Sequence, residues 1–174
     1  MKRYSYTFLL SLVASLLFLS SCNKISDEIN ECPSIFCVFT NQTGDNITQE
    51  RIENLLEYGV IPQDKYSVKL IVNGKELKGP AVEYHPKEGE YPTFISLYPG
   101  QIMKVFTPKD KKLNIEIQLK FPALFQDEET HSIKYSVNLL AYGGVRLING
   151  YVSFDQEQCP LFFNGSYWRI KLNN

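Results

Sequence analysis

The chain has 174 residues, 18 of them Lys or Arg and 19 Asp or Glu, and 44% are hydrophobic. That length suits one domain with a proper core. The near-neutral balance leaves no basic stripe, so no nucleic acid is expected as a partner. The first element in chain order is a leader. Lys2 and Arg3 precede an apolar run from Phe8 to Leu19 with nothing more polar than serine. A positive region followed by such a run reads as a secretory signal. It is short for a spanning helix, which needs roughly 20 apolar residues.

The leader ends in Leu19-Ser20-Ser21-Cys22. An apolar residue, two small residues and a cysteine resemble the lipobox of bacterial lipoproteins. The resemblance implies that residues 1–21 are cut away and that Cys22 carries a diacylglycerol on sulfur and an acyl chain on its new amine. It also implies export and a lipid anchor in the cell envelope, expected at the outer membrane. Removing 21 of 174 residues leaves 153, with 16 basic against 19 acidic groups because Lys2 and Arg3 go with the leader. Such a surface is not drawn to anionic lipid, so the membrane is a partner only through the lipid on Cys22. Several acyl chains hold firmly where a single one holds marginally.

Residues 22–34 read as the lipidated N-terminus and a tether. Asn23 to Glu31 is polar and offers no apolar turn to pack. Lys24 and Ser26-Asp27-Glu28 resemble the surface-export signal of Bacteroidetes lipoproteins, although a solvated linker has the same composition.

Residues 35–174 read as a single domain. It opens with the compact apolar run Ile35 to Phe39, and a turn follows over Asn41 to Asp45. Thr48 to Tyr58 is the one helical candidate, with Ile52, Leu55 and Leu56 on one face, Thr48 as a cap and Gly59 as a stop. From Tyr66 the period changes to two. Tyr66, Val68, Leu70 and Val72 form a dry face before Asn73-Gly74, a dipeptide whose residues accept the positive φ of a tight hairpin. Asn149-Gly150 and Asn164-Gly165 repeat the device. Leu113 to Phe121, Ile133 to Ala141 and Trp168 to Leu172 alternate in the same way. One dry and one wet face per strand is the antiparallel pattern, and no alternation of strand and helix points to a parallel sheet. The expected fold is an all-β, immunoglobulin-like β-sandwich, with an up-and-down β-barrel as the alternative. The uneven spacing between hairpins favours the sandwich. The layout of a lipobox followed by one small β domain resembles that of small, uncharacterised immunoglobulin-like lipoproteins of Bacteroidetes, a resemblance that carries no activity with it.

Little in the chain points to catalysis. His85 and His131 lie in unrelated surroundings, and no nucleophile elbow, paired-histidine metal motif or phosphate loop occurs. No cofactor, metal or catalytic residue is assigned. Asp127, Glu128, Glu129 and His131 form an acidic cluster between two strands; Ca²⁺ takes such oxygen ligands, but acids on a loop tip are ordinarily just solvated. With Cys22 acylated, Cys32, Cys37 and Cys159 remain, and three thiols cannot all pair. Export predicts one disulfide among them, its partners open.

The stretch from Ala81 to Phe106 sets Tyr84, His85, Tyr91, Phe94, Tyr98 and Phe106 among Pro86, Pro92 and Pro99, with Pro80 just ahead of it. Proline disfavours central strands, which places these aromatics at an edge or in loops. There they either stack on a ligand or fill the core beneath a loop. Tyr84, His85, Tyr91 and Tyr98 are the candidate binding residues. The expected function is a lipid-anchored binding or interaction module for a glycan or an envelope protein. The rivals are a small envelope hydrolase, which needs convergent acids in a deep pocket, and a pilus-type structural subunit.

Overall fold

The structure is a computed structural model that describes residues 34–98, 112–139, 145–147, 152–162 and 167–173. Their strands are β1 (Ile35–Thr40), β2 (Ser67–Val72), β3 (Lys75–Lys78), β4 (Ala81–His85), β5 (Phe94–Tyr98) and β6 (Lys112–Lys120), then β7 (His131–Leu139), β8 (Val145–Leu147), β9 (Val152–Phe154), β10 (Glu157–Cys159), β11 (Leu161–Phe162) and β12 (Tyr167–Lys171). They form two sheets. A five-stranded sheet has the order β11-β12-β1-β5-β4, and a seven-stranded sheet has β10-β9-β7-β6-β2-β3 with β8 also on β7. Two open sheets, each with its own edges, make a sandwich and not a closed barrel.

The alternation seen in the sequence is the alternation of burial. Leu113, Ile115, Ile117 and Leu119 of β6 point into the core, as do Ile133, Tyr135 and Val137 of β7. Ile35, Cys37 and Phe39 of β1, Ile95 and Leu97 of β5, and Trp168 and Ile170 of β12 meet them from the other sheet. Asn73 and Gly74 carry φ of 50° and 80° and close the β2–β3 hairpin as their residue types predict. The Asn149-Gly150 and Asn164-Gly165 turns lie outside the described residues, as do the leader, Cys22, the tether and Cys32.

The chain crosses from the seven-stranded to the five-stranded sheet between β3 and β4. Gly79 makes that crossing over the backbone of Val68, where an added Cβ would lie 2.2 Å from the Val68 carbonyl oxygen. Only glycine passes that close.

Two local expectations are corrected. The sheets are antiparallel except where β1 runs parallel to β12, with Cys37 opposite Trp168 and Phe39 opposite Ile170. Strand alternation reports which face is dry, but not the direction of a neighbour that is distant in sequence. The helix is also shorter than expected: α1 (Thr48–Ile52) passes into a 3-10 turn over Glu53–Leu55, and Leu56 is already extended. Thr48 does not cap it, because its hydroxyl is buried and accepts a hydrogen bond from the Phe39 amide at 3.0 Å. The N-cap is Ile47, without a side-chain cap, and Asn46 just before it accepts from the Thr48 amide through its Oδ1 at 2.9 Å. A single further turn, α2 (Pro122–Phe125), buries Leu124 and Phe125. Arg51 donates to the Leu124 carbonyl at 2.6 Å, joining α1 and α2 at one end of the core.

Candidate functional site

The five-stranded sheet turns its outer face away from the core, and aromatic side chains gather there. On β1 the residues alternate, so Phe36 points outward between the core residues Ile35 and Cys37. The parallel register sets Tyr167 of β12 beside it, and the antiparallel β4–β5 pairing sets His85 opposite Phe94. Phe36 meets Phe94 edge-on with centroids 5.5 Å apart, and Tyr167 lies 4.8 Å from Phe94. His85 lies flat on Phe94 at 4.3 Å with 8° between the planes. Edge-on and offset contacts of this kind are the favoured aromatic geometries. Four strands thus build one cluster.

The cluster is partly open. Phe36 is 36% exposed, while Tyr167 is buried. Tyr91 sits at the end of the turn that closes the β4–β5 loop, where its amide donates to the Glu88 carbonyl at 2.9 Å. Its ring is 58% exposed. Burial pushes the Tyr167 phenol above its ordinary range, and charge on the Tyr91 phenol adds to the effect. Polar groups line the same face. His85 Nε2 lies 3.0 Å from Ser96 Oγ and 3.8 Å from Glu83 Oε2, and Ser96 Oγ donates to that carboxylate at 3.5 Å.

The four candidate binding residues therefore separate. His85 and Tyr91 belong to the aromatic face. Tyr84, one position along β4, points the other way and packs against the core, where burial raises its phenol pKa. Tyr98 is 38% exposed but stands at the far end of β5, four residues from Phe94. It lines a groove of about 750 Å³ with Val60, Tyr66 and Pro80 among its walls, which adjoins the aromatic face at Glu83. Among the described residues, Glu83 is the one carboxylate of that lining. Phe36 and Tyr167 were missed by the sequence reading. Their signal was β1 itself, which is apolar on both faces and so must present one apolar face away from the core.

The acidic cluster resolves into a pair. Asp127 bonds to His131, and Asp155 of the β9–β10 turn joins them from the other side. Among the described residues no group of three or more His, Cys, Asp or Glu side chains is placed to hold a metal ion. Cys37 and Cys159 are both buried free thiols. Burial pushes both thiol pKa values up, that of Cys159 to about 11, which disfavours the reactive thiolate at both. Among the described residues no helix is long and apolar enough to cross a membrane, which leaves strand-based crossing unaddressed. Compared with protein-family models, with curated proteins and with solved structures, the chain has no match in any of the three.

Proposed function

We propose that the protein is a lipid-anchored binding module of the cell envelope that takes a glycan on the aromatic face of its five-stranded sheet. The observation that supports this best is the cluster of Phe36, Phe94, His85 and Tyr167, with Tyr91 exposed beside it. Sugar rings present flat C–H faces between hydroxyl groups, and an aromatic surface edged by hydrogen-bonding side chains matches that pattern. Here the rings supply apolar contact with few rotatable bonds to order. Glu83, Ser96 and His85 supply acceptors and donors for hydroxyls. The anchor on Cys22 would hold the module at the membrane, and the sandwich would serve as a rigid scaffold.

The test is a glycan array probed with the mature chain, followed by calorimetry on the best ligand. Tyr91→Ala and Phe36→Ala should each weaken binding, with about 2 kcal/mol expected for a central aromatic contact, or roughly thirtyfold. Tyr84→Ala should act through stability instead, because that ring packs inward. Binding unchanged by both outward substitutions, or no glycan bound at all, would overturn the reading.

A further inference from the structure

At the opposite sheet, His131 opens β7 with both ring nitrogens engaged. Nδ1 lies 2.5 Å from Asp155 Oδ2, and Nε2 lies 3.1 and 3.2 Å from the two oxygens of Asp127. A neutral imidazole has one donor and one acceptor nitrogen, whereas the imidazolium has two donors. Two carboxylates around one ring therefore call for the charged form. The ring is fixed in place by Phe125, 4.1 Å away, and by Phe154, which stacks on it at 5.3 Å and 10°.

The clasp joins segments that the backbone holds only weakly. Among the described residues, β9 pairs with β7 at two positions, Ile133 opposite Phe154 and Lys134 opposite Ser153. The β9–β10 hairpin is an outer hairpin of the seven-stranded sheet, with β10 at the edge. Its turn residues Asp155 and Gln156 both have positive φ, at 45° and 76°. Asp155 also accepts from the Ser132 amide at 2.7 Å and donates its own amide to the Ser132 carbonyl at 2.9 Å. One aspartate thus ties the turn to β7 through backbone and histidine together.

We propose that His131, clasped between Asp127 and Asp155, is a pH-sensitive latch that holds the β9–β10 hairpin and the loop after α2 against β7 while the imidazole is charged, and releases them when it loses its proton. Loss of the proton turns one ring nitrogen into an acceptor that faces a carboxylate. The contact then changes from attraction to repulsion.

Among the described residues, the charged groups around the latch are few. Asp127 faces the ring from the loop after α2, and Asp155 from the β9–β10 turn. On β6, Leu119 stands opposite His131, and the next residue, Lys120, is engaged by Glu128 at 2.8 Å. Burial opposes the charge on His131, but hydrogen bonds and charge from Asp155 and Asp127 outweigh it and raise its pKa above the ordinary value. A raised folded-state value means that the latch is fully closed below the ordinary imidazole pKa of about 6.5. It weakens as pH rises through the folded value and is unchanged beyond that. A single proton lets hairpin opening increase by at most about tenfold per pH unit across that window.

The experiment is NMR on the mature chain from pH 5 to 9. His131→Gln distinguishes its ring signal from that of His85, and hydrogen exchange of the β9–β10 amides is corrected for the intrinsic base-catalysed rate. The expected result is a His131 midpoint above 6.5, with hairpin opening that climbs over the same interval. Asp155→Asn should lower the midpoint while its side-chain carbonyl still accepts from Ser132, and should flatten the pH dependence of opening without unfolding the domain. A midpoint at or below 6.5 overturns the proposal. So does a hairpin whose corrected protection is constant while His131 titrates.

Discussion

Replacing Ile117 with alanine probes the register on which the sandwich depends. Ile117 sits in the middle of β6, completely buried, with Leu70 of β2 and Ile133 of β7 directly opposite and buried as deeply. Both neighbours are held in paired strands, so the cavity cannot collapse easily. Losses for Ile→Ala run from about 2 to 5 kcal/mol, and a rigid site of this kind belongs in the middle of that range, at about 3 to 4 kcal/mol. For a domain of this size that lowers the melting temperature by about 6–16 °C. Glu116, the preceding residue, lies on the outer face and accepts from Gln118 and Ser132 at 3.0 Å each, with Lys134 Nζ 3.5 Å away. Glu116→Gln retains an oxygen acceptor and gives up a contact to a half-exposed lysine, so it should cost about 1 kcal/mol or less. Melting curves of both variants decide the matter. Equal shifts, or a larger one for Glu116→Gln, would mean that the two faces of β6 had been exchanged.

Acid should also destabilise the outer surface of the seven-stranded sheet. Hydrogen bonds from Gln118 and Ser132 and the charge of Lys134 hold Glu116 below its usual carboxylate range against an opposing burial effect. At Asp127 burial opposes the charge too, but His131 and the Glu129 amide prevail and lower its pKa. Stability from a lowered carboxylate is present above its unfolded value of about 4 and is lost as pH falls through the folded one, so melts of Glu116→Gln and Asp127→Asn should depend less on pH below about 4 than those of the parent. At the N-terminus, Cys22→Ala should abolish both lipidation and leader removal. Mass spectrometry that finds an unmodified Cys22 in the parent protein, or a cut elsewhere, would remove the anchor from the proposal.

The seven-stranded sheet was readable because each of its long strands has one dry and one wet face, and burial writes that difference directly into residue types. The five-stranded sheet was harder. Phe36, Val38, Phe94 and Tyr167 are apolar residues on its outer face, so β1 shows no clean period and its second face could not be recognised as a surface. The aromatic site is non-local for the same reason. His85 and Phe94 come from one hairpin, but Phe36 and Tyr167 meet them only because β1 pairs with both β5 and β12. Pairing between the two ends of a chain leaves no mark on local spacing. The clasp was half visible: Asp127 and His131 are four residues apart, whereas Asp155 is brought in by the β9–β10 turn, 24 residues beyond His131.

The position of the aromatic face bears on how an anchored module would use it. Phe36 is the second residue of β1, and Tyr167 beside it is the first residue of the parallel β12. The cluster therefore spans the sheet. Phe36 and Tyr167 stand near the start of β1, whereas Phe94 and His85 lie further along it. The β4–β5 loop with Tyr91 reaches the Thr40 end of β1, away from the tether. Thirteen residue steps separate Cys22 from Ile35, and a fully extended chain covers at most about 3.3–3.6 Å per residue, so the anchor can stand no more than about 45 Å from the start of β1. With Cys22 acylated as proposed, the start of β1 would stand within that distance of the membrane, and the aromatic face would extend from there toward the opposite end of the sheet. A ligand rooted in the same membrane would meet it at raised local concentration, because both would be confined to one surface. Weak contacts of the sort a few partly exposed rings provide would then suffice. A ligand presented from outside would meet the loop with Tyr91 first, at the end of the sheet away from the tether, so a glycan beyond the anchoring membrane would be within reach as well.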